Sequence, residues 1–157
     1  MSQDSGDFRQ ALGRFATGVC LVTVNDPELG PLATTVYSFS SVSLDPPLVL
    51  WSIQSSSDHL GVYTDCEHFG ISVLSANQAT LSGHYAERGG HNALPEHFVV
   101  GSAGEPKLID SLAHFCCATH AVHPGGDHQI IVGKVLGFES MEADPLVFYS
   151  GGYRSLS

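Results

Sequence analysis

Positive charge is the scarcest feature of this sequence. Six lysines and arginines stand against sixteen aspartates and glutamates, which gives a formal net charge of −10. A surface this acidic repels phosphate backbones, so nucleic acid is a poor partner for the protein. Because nucleotide cofactors are also anionic, any phosphate site must depend on hydroxyls, backbone N–H groups and very few cations.

Several diagnostic patterns are also absent. No run of about 18 apolar residues could span a membrane. The first residues, Met1 to Asp4, lack the basic and apolar regions of a secretory signal. We therefore expect a cytoplasmic protein with no membrane partner. The sequence has neither the G-x-G-x-x-G fingerprint of a Rossmann fold nor the G-x-S-x-G elbow of a serine hydrolase.

The four cysteines form no C-x-x-C pair. Cys116 and Cys117 are adjacent, so they would point to opposite faces of a strand. Reduced, partly buried thiols are the expectation, in keeping with a cytosolic chain. The nine histidines keep a metal-binding alternative open, because several lie between His114 and His128. Their spacing matches no recognised ligand motif, so we expect no metal site.

The hydrophobic pattern predicts a mainly β protein with a few short helices. An opening helix is indicated by an apolar stripe at Phe8, Leu12 and Phe15, with a capping-box-like start at Asp7 and Gln10. Short helices are also expected near 59–64 and after the capping box of Ser75 and Gln78. Strands are expected at 19–24, 32–39, 48–53, 69–74, about 112–122, 129–138 and 146–149, with a loop-rich segment at 89–106.

These strands do not alternate with long helices, so a doubly wound parallel sheet is disfavoured. We expect residues 1–157 to form a single domain, a closed β-barrel with helical decorations.

Three polar segments are candidates for a binding site. Residues 34–43 contain six serines and threonines and one tyrosine, whose hydroxyls could contact the polar edge of a planar heterocycle or simply belong to an edge strand. Residues 54–57, Gln-Ser-Ser-Ser, precede a predicted helix, where a phosphate is favoured, although they could equally be a plain N-cap. His128 follows a Gly-Gly turn at the start of a strand and could contact a planar or anionic ligand or be structural.

Five segments in order span nearly the whole chain: the opening helix and turn (8–19), S-F-S-S-V-S-L-D-P-P-L (38–48), F-G-I-S-V-L-S-A-N-Q (69–78), G-D-H-Q-I-I-V-G-K-V (126–135) and the closing strand and tail (145–153). Together they resemble the flavin reductase-like family, the FMN-binding split barrel that includes reductase components of two-component flavin monooxygenases. The resemblance implies a Greek-key-like antiparallel split β-barrel that forms a homodimer. It also implies an NAD(P)H:flavin oxidoreductase that passes a hydride from NADH or NADPH to FMN or FAD and supplies reduced flavin to a partner monooxygenase.

The resemblance also implies site residues. The catalytic candidate is His128, close to the place where the nicotinamide stacks. The implied cofactor-binding residues come from three parts of the chain and are Thr35, Val36, Tyr37, Ser38, Ser41, Val42, Ser43, Gln54, Ser55, Ser57, His84, Tyr85 and Arg88.

Two departures from the family pattern affect the cofactor site. Tyr37 stands where members often have asparagine, and residues 54–57 include none of the lysines or arginines that members commonly carry near the phosphate. Arg88 is the best remaining cation, so flavin could bind weakly, as an exchanging substrate. The alternatives are a non-catalytic flavin-binding protein of the same fold, a split-barrel oxidase or monooxygenase acting on another substrate, and a small His/Cys metal-binding protein.

Overall fold

The computed structural model describes residues 5–156 and is mainly β, as predicted. Its helices are α1 (Ser5–Leu12), α2 (Leu60–Asp65) and α3 (Ala79–Ala86), and a single 3₁₀ turn (Ala76–Gln78) precedes α3. Its strands are β1 (Thr17–Gly18), β2 (Cys20–Asp26), β3 (Gly30–Val36), β4 (Ser40–Leu44), β5 (Pro47–Gln54), β6 (His68–Val73), β7 (Phe98–Val100), β8 (Pro106–Leu108), β9 (Ala113–Gly125), β10 (His128–Ser140), β11 (Val147–Tyr149) and β12 (Gly152–Arg154).

A seven-stranded antiparallel sheet, in the order β3-β2-β6-β9-β10-β5-β4, forms the body of the molecule. The sheet curls until β3 approaches β5. There the hydroxyl of Ser38 accepts the N–H of Ser52 at 2.9 Å and donates to its carbonyl at 3.3 Å. The long β9–β10 hairpin closes on a two-residue turn, and Gly126 begins this turn with a φ of 69°, a left-handed conformation that glycine adopts without strain.

Strand β2 is buried on both faces because it separates two clusters of the core. Its alternate residues Cys20, Val22 and Val24 belong to a cluster that also contains Trp51 and Tyr63. Leu21, on the other face, belongs to a second cluster with Leu74, Tyr85, Leu108 and Leu146. A strand that is buried on both faces has a nearly continuous run of apolar residues. This run is the pattern that predicted the strand at 19–24.

Some local predictions differ from the structure. The strand predicted at 32–39 ends at Val36, and the next strand, β4, begins only at Ser40. The segment 89–106, which was predicted to be a loop, contains part of the β7–β8 hairpin. The predicted N-cap at Asp7 is wrong, because α1 already includes Ser5. Helix α2 begins at Leu60, after a turn that contains the serines at 55 and 56.

The capping box at Ser75 is confirmed, with the Gln78 side chain accepting the Ser75 N–H at 3.0 Å; it caps the 3₁₀ turn that leads into α3.

Phe8 and Leu12 of the predicted apolar stripe lie on α1, whereas Phe15 lies three residues after its end, and none of the three packs into either core cluster. Phe8, Leu12 and Phe15 are 60%, 59% and 78% exposed. All four cysteines are free thiols. None of the helices within residues 5–156 is both long enough and apolar enough to cross a membrane.

Candidate functional site

A cleft of about 700 Å³ lies where the barrel opens between β3 and β5. A cleft of this size lies within the usual range of small-molecule and cofactor sites. Its walls come from the end of β3 and the residues after it, the end of β5 and the following turn, the loop after α3, the start of β10 and one residue of α1. The lining residues are Leu12, Thr34, Thr35, Val36, Tyr37, Ser38, Ser52, Ile53, Gln54, Ser56, Ser57, Asp58, Ala86, Arg88, His91 and His128.

Strand pairing stops on both sides of this cleft. β4 pairs with β5 only as far as Leu50, so residues 51–54 are paired with β10 alone. Among the described residues, no strand pairs with 34–36 on the side away from β2. Part of the β5 edge is already used, because Ser52 is bonded to the Ser38 hydroxyl and the Gln54 carbonyl accepts the Ser57 N–H at 3.0 Å. The other backbone groups at the two edges have no strand partner on the cleft side.

Eight of the residues predicted from the sequence line the cleft together: Thr35, Val36, Tyr37, Ser38, Gln54, Ser57, Arg88 and His128. The sequence reasoning missed the other eight. Thr34 and Ser56 lie inside the hydroxyl-rich segments and Ser52 lies beside one, so that signal could have included them. His91, Asp58 and Leu12 come from separate segments that only the fold brings together.

The other predicted residues lie outside the cleft. Ser41, Val42 and Ser43 lie on the edge strand β4, Ser55 faces away with its N–H bonded to the Asp127 carbonyl at 2.8 Å, and His84 is exposed on α3. Tyr85 is fully buried in the second core cluster, where its hydroxyl lies 2.7 Å from His97 Nδ1. In this chain Tyr85 therefore packs the core and has no contact with the cleft.

Tyr37 is fixed in the cleft wall by aromatic stacking and by hydroxyl groups. Its ring stacks on Phe148 at 4.0 Å between centroids, with 11° between the planes. Burial, together with hydrogen bonding to and charge interaction with Tyr153, raises the pKa of Tyr37 to about 12 against an opposing hydrogen bond with Ser82. Ser82 and Tyr153 are themselves hydrogen-bonded at 2.6 Å. The Tyr37 phenol is therefore neutral at physiological pH and is held by the closing strands.

His128 stands at the rim of the cleft, opposite Gln54 in the β5–β10 register. Its Nδ1 lies 2.7 Å from a carboxylate oxygen of the exposed Asp127, and this hydrogen bond lowers the pKa of Asp127. The half-buried ring is thus oriented by its own neighbour, with the other ring nitrogen left to face a ligand.

Two glycines bring Arg88 and His91 to the cleft. Gly89 has a φ of 84°, and a Cβ on Gly90 would lie 2.6 Å from the backbone carbonyl oxygen of His84. A side chain at Gly90 would force the loop away from α3, and one at Gly89 would strain its left-handed backbone. The loop instead turns back onto β3, where the N–H of Ala33 donates to the His91 carbonyl at 2.8 Å.

A Ser–His–Glu arrangement elsewhere is not a hydrolytic site. His114 lies 2.8 Å from the Ser72 hydroxyl and 2.6 Å from Glu105, but all three residues are buried, which leaves no path for a substrate. Within residues 5–156, no group of three or more histidine, cysteine, aspartate or glutamate side chains is placed to hold a metal ion.

Comparison with known proteins identifies the family of this chain. The model of the flavin reductase like domain family matches residues 12–157. The chain belongs to this family. The family assignment confirms the predicted fold class and the predicted activity, reduction of a flavin by a reduced nicotinamide.

Individual flavin reductases match over nearly the full chain. FMN reductase (NADH) SmoA of Agrobacterium fabrum is 44% identical over 156 residues, covering 99% of this chain and 88% of that protein. The reductase component of 4-hydroxyphenylacetate 3-monooxygenase from Thermus thermophilus is 38% identical over 152 residues, covering 95% of each. The solved structure of the NADH:FAD oxidoreductase SgcE6 from Streptomyces globisporus C-1027 has a TM-score of 0.91 at 33% identity, covering 100% of this chain and 97% of that one.

Proposed function

We propose that the cleft between β3 and β5 binds FMN or FAD and that NADH or NADPH reduces the flavin there. The observation that carries this proposal is the lining itself, which combines two strand edges that lack a strand partner with hydroxyl groups, one arginine and two histidines. A planar ring with a polar edge fits between strand edges of this kind. The residues present therefore fit a flavin.

The protein groups in the cleft would bind and orient the flavin rather than transfer protons. When bound, the flavin supplies the hydride-accepting ring, so no general base is required. The hydroxyls of Thr35 and Ser38 already donate to the carbonyls of Ser82 and Ser52. Backbone N–H groups of residues 35–38 would therefore donate to the pyrimidine edge and stabilise the negative charge of the reduced ring. Gln54, Ser57 and Arg88 would hold the ribityl and phosphate groups.

His128 is the proposed positioning residue for the nicotinamide. It stands at the rim of the cleft, and its ring is oriented by Asp127. Hydride transfer requires the two reacting rings to lie about 3–3.5 Å apart in a fixed orientation. A half-buried histidine at the rim could hold the second ring over the first.

We also propose that residues 1–157 form one domain that works as a homodimer. Leu44 and Phe15 are 95% and 78% exposed, and Phe138 is 76% exposed. Leu44, at the end of β4, pairs with Pro47 of β5, and the next residue of β5, Leu48, pairs with Lys134 of β10. The end of β4 that carries Leu44 and the part of β10 that leads to Phe138 therefore lie at the same end of the sheet. Exposed apolar side chains in this number indicate an interaction surface.

The natural user of the reduced flavin is proposed to be a partner monooxygenase in the cytoplasm. The relatives that are named as reductase components of monooxygenases support this assignment.

The test is oxidation of NADH and of NADPH by the purified protein in air, with FMN or FAD added, together with flavin binding by fluorescence quenching. We expect flavin-dependent turnover. Arg88→Ala should weaken flavin binding by about fivefold, roughly 1 kcal/mol, whereas Lys134→Ala, an exposed cation of β10 outside the cleft, should leave it unchanged.

Binding without turnover in all four combinations would leave a flavin-binding protein or an oxidase of another substrate. Absence of binding would overturn the proposal.

A further inference from the structure

The lining of the cleft has no net charge with which to receive a phosphate. It contains one arginine, Arg88, one aspartate, Asp58, and two histidines, His91 and His128. The whole chain has a formal charge of −10, so the surrounding field is unfavourable to an anion as well. A phosphorylated flavin would therefore gain little electrostatic stabilisation unless the cleft acquires a further positive charge.

His91 is the group best placed to supply that charge. It lines the cleft, is half-buried, and belongs to the same glycine-containing loop as Arg88. Its backbone is fixed against β3, because its carbonyl accepts the Ala33 N–H at 2.8 Å and the next pair joins Ala93 N–H to the Pro31 carbonyl at 2.9 Å. The position of the imidazole at the cleft is thus set by the fold.

The surroundings of His91 keep it neutral in the absence of an anion. Burial lowers its pKa first, the neighbouring His59 lowers it further, and Asp58 partly opposes both. The His59 and His91 rings lie 5.6 Å apart. The other charged or titratable groups around the cleft are Arg88 on the same loop, Tyr37 after β3, and the pair of Asp127 and His128 across it. Strand β3 itself contains no titratable side chain.

We propose that His91, with His59 beside it, is a proton-dependent cation for the phosphate of the bound flavin, so that binding a phosphorylated flavin takes up a proton. This inference rests on the proposed assignment of the cleft as the flavin site. An anion beside His91 favours the imidazolium and raises its pKa, so affinity must rise as the pH falls through neutrality. Riboflavin, which has the same ring but no phosphate, should show no such linkage.

The experiment compares FAD and riboflavin binding between pH 6 and pH 8, by fluorescence quenching and by calorimetry in buffers of different ionisation enthalpy. FAD is used in place of FMN because the phosphate monoester of FMN itself titrates near pH ~6, so a proton taken up with FMN could not be assigned to the protein. For the unmodified protein we expect FAD to bind about tenfold more weakly at pH 8 than at pH 6, with about half a proton taken up at pH 7. The affinity for riboflavin should stay level.

Variants separate His91 from the rest of the cleft. In His91→Gln the pH dependence of FAD binding should disappear. An unchanged affinity of this variant for riboflavin would show that the cleft is still formed. His128→Gln removes the other histidine of the lining and should retain the pH dependence. The inference is overturned if His91→Gln keeps the original slope, if riboflavin takes up the same proton, or if FAD takes up none. If neither flavin binds the unmodified protein, the cleft assignment itself fails.

Discussion

Replacing Glu105 with glutamine is the sharpest stability test that the structure offers. Glu105 Oε2 lies 2.6 Å from His114 Nε2, and the N–H of Ala103 donates to its other oxygen at 2.8 Å. His114 Nδ1 lies 2.8 Å from the Ser72 hydroxyl. The Glu105 and His114 side chains are 1% and 5% exposed, so this chain of polar groups is closed to water.

The expected cost of Glu105→Gln is large because the partners stay buried. Leaving a buried polar group without its hydrogen-bond partner costs about 1–3 kcal/mol, and more when the group is charged. Glutamine keeps the shape and one acceptor oxygen but presents an NH₂ group to one of the two donors. We therefore expect a loss of about 3 kcal/mol, which for a urea m-value of ~1–3 kcal/mol/M lowers the midpoint by about 1–3 M. The matched control is Glu139→Gln, because the Glu139 carboxylate pairs with Lys107 at the surface. This variant should lose at most about 1 kcal/mol of the free energy of unfolding.

The pH dependence provides an independent check. Burial alone would raise the pKa of Glu105, but the hydrogen bonds from His114 and from Ala103 outweigh it, so the pKa is lower than usual. A carboxyl with a lowered pKa stabilises the fold above its unfolded pKa and loses that contribution as the pH falls through its folded pKa. The difference between the unmodified protein and Glu105→Gln should therefore be complete at pH 7 and shrink below about pH 4. Equal losses in the two variants, or a difference that persists in acid, would refute this reasoning.

Three further predictions concern the interface, the cleft loop and the thiols. Leu44→Lys places a charge on the proposed dimer surface and should shift sedimentation toward the monomer; an unchanged dimer would exclude that surface. Gly90→Ala should weaken flavin binding by about tenfold, roughly 1.4 kcal/mol, because its Cβ would lie 2.6 Å from a backbone carbonyl, whereas the unobstructed Gly83→Ala in α3 should not. Burial raises the pKa of Cys20 and that of Cys117 to about 12, so a disulfide reagent at pH 8 should label neither in the native protein and all four cysteines in urea.

The sheet was largely predictable because its inner strands carry a strong apolar signal. Strands β2, β5 and β6 are bounded by turn residues and buried on at least one face, and each was predicted within a few residues. β7 and β8 were missed because each is only three residues long, in a glycine-containing segment where local preference is weak. The predicted strand through Tyr37 was too long, because its β-forming residues leave the sheet to stack against the closing strands.

The residues that line the cleft were predictable only where they are contiguous in sequence. The hydroxyl-rich segment contributes through Ser38 but not through Ser41 to Ser43, because β4 runs along β5 away from Gln54, with Ser40 opposite Leu50 and Leu44 opposite Pro47. Sequence alone could not indicate this change of direction. His91 carried no signal at all, since its place depends on a loop that returns to β3.

The position of the cleft follows from the way the barrel closes. A barrel that pairs every strand edge has no backbone groups left for a ligand, whereas an open edge invites aggregation. Here the two edges face each other and are joined by the hydroxyl of Ser38 at Ser52. The gap therefore presents to a planar molecule backbone groups that lack a strand partner, apart from those of Ser52 and the Gln54 carbonyl, which are bonded within the protein. On the proposed assignment of the cleft, ring binding by these neutral groups needs no basic surface, and Arg88 and His91 would be the cations that meet an anionic cofactor.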